Sequence, residues 1–170
     1  GNAVTLDADL TLAGSNDLNL TGLVDGTGRL IKNGTSTLTL GGLNTYVGGT
    51  LLNGGALVLS NGSAIGTGDL TVGGAASLGT SAALSLGNNI GLNADLTLTG
   101  SNALTLGGVV SGAGQLVKNG SATVTLNGVN TYAGGTTLNA GGLVIGNGNA
   151  LGTSALTVAG AASLDNTAVA

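Results

Sequence analysis

This chain of 170 residues contains no cysteine, proline, histidine, methionine, tryptophan, phenylalanine or glutamate. Without His, Cys or Glu there is no imidazole general base, no thiol nucleophile, no Ser-His-Asp arrangement and no conventional zinc site. The missing cysteines also remove the disulfide framework that small exported domains often use. Arg29, Lys32 and Lys118 are the only basic residues against seven Asp, a net charge of -4. Nucleic acid is excluded as a partner, because neutralising phosphates requires clustered Lys and Arg. Two tyrosines, Tyr46 and Tyr132, are the only aromatics, so a core must be built from Leu, Val, Ile and Ala. Apolar runs such as Ala56-Leu59 and Leu143-Ile145 fall far below the roughly 20 residues of a membrane-spanning helix. The opening Gly1-Asn2-Ala3-Val4 has no initiator Met, basic region or apolar core of a signal peptide, and reads as the start of an excised or processed fragment.

Glycine is what the chain has in quantity: 35 residues, spread throughout rather than gathered into linkers. A glycine costs a helix about 1 kcal/mol relative to alanine, which disfavours helix almost everywhere. What remains is alternation. Leu10-Thr11-Leu12, Leu18-Asn19-Leu20, Thr37-Leu38-Thr39-Leu40, Leu57-Val58-Leu59, Leu70-Thr71-Val72 and Leu84-Ser85-Leu86 each set apolar residues two apart, the period of a strand with one buried face. Between them lie pairs such as Asn33-Gly34, Gly41-Gly42, Asn53-Gly54, Asn61-Gly62 and Gly73-Gly74, which predict turns with Gly or Asn at positive φ.

Residues 1–84 align on 87–170 without a gap at an offset of 86, with about six in ten positions identical. The chain therefore reads as two repeats, 1–86 and 87–170, forming one continuous solenoid. An 86-residue unit of short strands and no helix suits several turns of a coil, each supplying two or three strands that pair with the turns before and after it. The expected fold is all-β, a right-handed parallel β-helix. Leu, Val and Ile form its inner column, Thr, Ser and Asn point outward, and Gly and Asn take the corners. With roughly 20 residues per turn the chain makes about eight turns and a rod of about 40 Å. Disorder is the weaker reading, since proline is absent and regular Leu pairs offer burial. A β-sandwich or up-and-down barrel fits less well with an ungapped offset and a core without aromatics.

The segment Gly28-Arg29-Leu30-Ile31-Lys32-Asn33-Gly34 returns as Gly114-Gln115-Leu116-Val117-Lys118-Asn119-Gly120, and Asn44-Thr45-Tyr46-Val47-Gly48-Gly49-Thr50 as Asn130-Thr131-Tyr132-Ala133-Gly134-Gly135-Thr136. The ordered combination of Lys-x-Gly, Thr-x-x-Leu, Asn-x-Tyr and Gly-x-Thr over 28–50 and 114–136 resembles the autotransporter-associated β-strand repeat, also called the passenger-associated transport repeat. The resemblance implies a passenger segment of a type V secretion system in a Gram-negative bacterium, exported through an outer-membrane β-barrel translocator and displayed outside the cell. It implies a structural stalk that assists export by folding turn by turn and presents a distal adhesive region. No inserted loop interrupts the period, which places any adhesive or enzymatic head outside this chain.

The residues that carry polar chemistry are few. Tyr46 and Tyr132 occupy equivalent positions and are expected to fill a corner of the coil, hydroxyl bonded to a turn, rather than stack on a sugar. Lys32 and Lys118 are expected as solvated turn charges that discourage lateral strand pairing. Asp7 and Asp9, two apart, would share one face of a strand, the spacing of a carboxylate pair or a calcium site. The second copy has Asn93 and Asp95 there, with no supporting Arg or His. Gly66-Thr67-Gly68-Asp69-Leu70 has the look of a calcium-binding nonapeptide, but its counterpart Gly152-Thr153-Ser154-Ala155-Leu156 lacks the Asp. Gly26-Thr27-Gly28 precedes no helix and no Gly-Lys-Ser/Thr, so phosphate binding fails on context. No catalytic, cofactor-binding or metal-ligating residue is assigned, and no cofactor is expected.

Two other function classes stay open at this level. Thr37-x-Thr39 and Thr123-x-Thr125 would suit a glycan- or ice-binding module if successive turns stacked them into a ladder, giving a surface glycan or host ligand as partner. A polysaccharide-cleaving β-helix enzyme is the weaker alternative. Both ends, 1–12 and 159–170, read as ordinary repeat interior, which predicts head-to-tail self-association.

Overall fold

Leu-x-Leu segments of three residues are long enough to point two side chains inward and one outward, but too short to form a stable sheet alone. Their stability has to come from pairing with the next turn of chain. A computed structural model describes residues 1–167, and within them 21 strands of three to five residues pair in parallel throughout. Val4 sits opposite Val24, Leu10 opposite Leu30 and Leu18 opposite Leu38, so a turn takes 20 residues. Leu38 faces Leu57 and Leu57 faces Leu78, steps of 19 and 21 that cancel. The second copy repeats this pair of steps at Val124, Leu143 and Leu164.

The result is a parallel β-solenoid of about eight turns with three faces. The second face carries strands Leu10–Leu12, Leu30–Lys32, Thr50–Leu52, Leu70–Val72, Ile90–Leu92 and Val110–Gly112. On the third face are Leu18–Leu20, Thr37–Leu40, Ala56–Leu59, Ala76–Thr80, Leu96–Leu98, Leu116–Lys118, Thr136–Leu138 and Leu156–Val158. The first face is split, with Val4–Leu6 and Val24–Gly26 at one end and Leu84–Leu86, Leu104–Leu106, Thr123–Leu126, Gly141–Ile145 and Ala162–Asn166 at the other. The chain between still stacks there without forming a strand, since Thr45 N donates to Val24 O at 2.9 Å and Val47 N to Gly26 O at 3.1 Å. Strands pair directly across the boundary between copies, as in Leu70 with Ile90 and Ala76 with Leu96.

Inward side chains stack turn on turn. One column on the third face runs Leu38, Leu57, Leu78 and Leu98, then Lys118 and Leu138, nearly all of it shut off from solvent. Burying each such Leu fully is worth about 1.5–3 kcal/mol relative to leaving it exposed. One turn alone has nothing to cover its inward side chains along the axis, so stability accumulates only by stacking.

Glycine at the corners serves close approach as much as backbone shape. A Cβ on Gly42 would lie 2.1 Å from Gly22 O, which would drive adjacent turns apart. Eleven glycines adopt positive φ, Gly34 and Gly66 among them, while no non-glycine among the described residues does. Of the turn pairs expected at positive φ only Asn33-Gly34 uses it, through Gly34; Gly41-Gly42, Asn53-Gly54, Asn61-Gly62 and Gly73-Gly74 turn without it, and the asparagines are not used that way. They act through their side chains, bridging one turn to the next.

Four sequence expectations are corrected. Asp7 and Asp9 lie in the turn between Val4–Leu6 and Leu10–Leu12, not on a strand. Lys32 and Lys118, each 1% exposed, point into the core. Not every Thr faces outward, because Thr50 and Thr136 are buried. Thr37 and Thr39 lie on the third face but Thr123 and Thr125 on the first, and Ala56 and Val58 stack next to the former pair. The Thr pairs therefore build no common ladder.

Candidate functional site: the repeated polar residues

In Leu30-Ile31-Lys32 the lysine has the same parity as Leu30 and so points inward, into a column between Leu12 and Leu52. Its Nζ donates to Asn33 O at 2.8 Å, Gly34 O at 3.1 Å and Gly54 O at 3.5 Å, carbonyls of its own turn and the next. Lys118 stands between Leu98 and Leu138 and donates to Gly120 O and to Ala140 O, the latter at 3.1 Å. Every acceptor is a backbone carbonyl, so each ammonium ties two successive corners together. Burial lowers the pKa of both amines; for Lys32 the nearby Asp17 carboxylate opposes the shift.

Asn44 is 2% exposed, at the point where the first face loses its strands. Its Oδ1 accepts from Val24 N at 2.8 Å and its Nδ2 donates to Ala64 O at 2.6 Å. One side chain thereby bridges the turn below and the turn above, in place of strand-to-strand bonds. Asn130 does the same between Val110 N and Ala150 O, at 2.7 and 2.6 Å.

Two residues on, Tyr46 is fully buried and its hydroxyl lies 2.6 Å from Thr50 Oγ1; Tyr132 and Thr136 stand 2.5 Å apart. The tyrosines are buried as expected, but within the strandless segments stacked on Val24–Gly26 and Val110–Gly112 rather than at corners, and their partner is a strand threonine rather than a turn. Burial pushes the Tyr46 phenol up to about 12, the bond to Thr50 working weakly against it, and raises that of Tyr132 likewise. Thr50 and Thr136 occupy core columns otherwise made of aliphatics, and the tyrosine satisfies the hydroxyl there. With both tyrosines inside, the described residues offer no exposed aromatic ring on which a sugar could stack.

Several carboxylates are also employed structurally. Asp9 Oδ1 accepts from Arg29 N at 2.9 Å, and Asp95 Oδ1 from Gln115 N at the same distance, equivalent bonds in the two copies. Asp17 Oδ1 accepts from Thr37 N at 2.7 Å. Asp69 Oδ1 accepts from the Asn89 amide at 3.3 Å. No group of three potential metal-ligating residues occurs among the described residues. A cavity of about 330 Å³ is lined in part by Asp17, Lys32 and Asn16, but Asp17 and Lys32 already hold the bonds given above.

What sequence reasoning missed is that the signature residues act as one set. Lys32, Asn44, Tyr46 and Thr50, and again Lys118, Asn130, Tyr132 and Thr136, are all buried and each bridges chain within or between turns. The usable signal was parity, since Lys32 and Thr50 both fall on the inward step of their strands. On the outside, the same segments expose Leu43 (72%), Val47 (57%) and Val129 (57%).

One comparison, with family models, matches the stretches that hold this set. Neither the curated proteins nor the solved structures contain a match to the chain. The passenger-associated-transport-repeat family model matches residues 30–59 and 116–145, the four strands around each buried polar set. The two matched stretches lie 86 residues apart, at equivalent places in the two copies.

Proposed function

We propose that the chain is a stalk segment of an autotransporter passenger, displayed at or released from the surface of a Gram-negative bacterium. Its stacked folding outside the outer membrane assists export and holds a distal adhesive region away from the cell. The observation that carries this reading is the repeat match at 30–59 and 116–145 on a solenoid with a stacked core. Each added turn buries inward residues such as Leu57, Leu78 and Leu98 against the turn already in place. Folding of that kind resists backsliding through a pore and needs no nucleotide. The absence of cysteine suits the same route, because no disulfide can form before passage.

Surface display tests the proposal, with the chain placed ahead of an outer-membrane β-barrel translocator. Leu57→Asp, which puts a charge in the core column, is expected to cut display strongly. Leu43→Asp, at a side chain 72% exposed, is expected to leave it unchanged. Equal display of both variants, with Leu57→Asp shown to be unfolded, would overturn the folding-assisted route. A glycan- or ice-binding reading draws no support from the Thr pairs, which lie on different faces.

A further inference from the structure

The two copies do not sit in the same orientation. Leu30–Lys32 belongs to the second face, and its equivalent Leu116–Lys118 to the third; Thr37–Leu40 is on the third, Thr123–Leu126 on the first. The strandless segment around Asn44 and Tyr46 interrupts the first face. Its equivalent around Asn130 and Tyr132 falls where the second face ends, stacking on Val110–Gly112 through Thr131 N to Val110 O and Ala133 N to Gly112 O at 2.9 and 2.8 Å. Every feature of the first copy reappears one face further round.

The cause is a count. Before the second copy begins at Ile90–Leu92, the first copy supplies eleven strands and two strandless segments, around Asn44–Tyr46 and Ala64–Ile65. Those thirteen positions on a three-faced coil make four turns and one face over. The corner that joins the copies is ordinary: Gly87-Asn88-Asn89 takes the place that Gly1-Asn2-Ala3 holds in the first copy.

We infer that the 86-residue unit is a length-and-angle module. Adding or removing one whole unit changes the rod by four and one-third turns, about 21 Å at about 4.8 Å per turn. It also turns everything beyond by one face, a third of a revolution. Three units, not two, restore the starting orientation. Repeat number then sets both the height and the facing of whatever the rod carries. The exposed Leu43 and Val129 knobs also fall on successive corners instead of lining up into one apolar stripe, an arrangement that limits side-by-side association of a rod with few charges.

Spin labels test this cleanly, because the chain has no cysteine of its own. Thr37 and Val117 lie in one outward column of the third face, four turns apart, while Thr123 is the sequence equivalent of Thr37 on the first face. Double electron–electron resonance on Thr37→Cys/Val117→Cys and Thr37→Cys/Thr123→Cys is expected to give a clearly longer distance for the second pair. Two lengthened chains extend the test, with residues 1–86 or residues 7–86 inserted after Leu86. The second insert omits strand Val4–Leu6 and so contains a whole number of turns. Both chains are expected to keep a β-rich circular dichroism spectrum. The axial difference between them is a third of a turn, about 1.6 Å, so a larger difference in the distance between the upstream label at Thr37 and the label at Val117 reports the turn. The inference is overturned if the two native pairs give equal distances. It is equally overturned if the lengthened chains differ by no more than the axial increment, or if the 86-residue insert alone abolishes the β spectrum.

Discussion

Raising the pH gives the two tyrosines a reporting role, because they are the only aromatic residues and both are sealed inside the coil. Burial holds the Tyr46 phenol at about 12 against 10.0 for the free side chain. A group whose folded pKa is raised contributes its full stability below the unfolded value and loses it as the pH climbs through the folded one. The window of loss is therefore pH 10 to 12. Two pKa units correspond to about 3 kcal/mol from Tyr46, and Tyr132, shifted in the same direction, adds to it. That sum is a large share of the about 5–15 kcal/mol that separates folded from unfolded domains. The buried lysines work in the opposite sense. Their pKa values are lowered by burial, so the unfolded chain holds its lysine protons to higher pH and stability gains as the pH rises toward 10.5. Stability should hold or rise slightly up to about pH 10 and then fall. The assay is tyrosinate absorbance near the ultraviolet edge, followed together with far-ultraviolet circular dichroism. Tyrosinate should appear only as the β signal disappears, in one coincident transition. Free titration near pH 10 in a chain that keeps its β signal would refute the interior placement of Tyr46 and Tyr132.

Other outcomes follow from the same contacts. Asn44→Ala strands Val24 N and Ala64 O at about 1–3 kcal/mol each, and Asn44→Asp, which keeps the acceptor but sets a buried carboxylate against Ala64 O, should cost at least as much in a denaturant titration at neutral pH. Leu57→Ala opens a hole in a fully buried column and is expected to cost about 2–5 kcal/mol; Leu43→Ser, at an exposed site, should stay within about 0.5 kcal/mol. Val158 and Leu164 are 56% and 52% exposed although their neighbours down the column, Leu138 and Leu143, are buried. The 170-residue chain is therefore expected to associate head to tail as its concentration rises. Light scattering that stays monomeric throughout would show the ends to be protected.

Much of the fold could be read from residues. Leu10-Thr11-Leu12 and its relatives announce short half-buried strands, and the offset of 86 announces a solenoid. The interior of each repeat was harder to see. Lys32 ends a strand on an inward step, yet a cation is costly to bury unless its ammonium is hydrogen-bonded, and sequence alone gives no sign of a remedy. The remedy is the set of carbonyls at Asn33, Gly34 and Gly54, the last brought from 22 residues away only once the coil closes. Asp7 and Asp9 misled for a related reason. Spacing by two implies a shared face only within a strand, and the turn between Leu6 and Leu10 converts Asp9 into a cap for Arg29 N. The one-face advance needed a count of strand positions, and the strandless segments at Asn44–Tyr46 and Ala64–Ile65 hide two of them.

The central claim is that the signature residues of the repeat face inward and fasten the coil, leaving none of them to a ligand. Amine labelling of the native chain followed by mass spectrometry tests it most directly, because the chain has only two lysines besides its N-terminal amine. Lys32 and Lys118, each 1% exposed, should remain unmodified while the N-terminus reacts, and both should react once denaturant unfolds the coil. Labelling of either lysine in the folded chain as fast as the N-terminus would contradict the account.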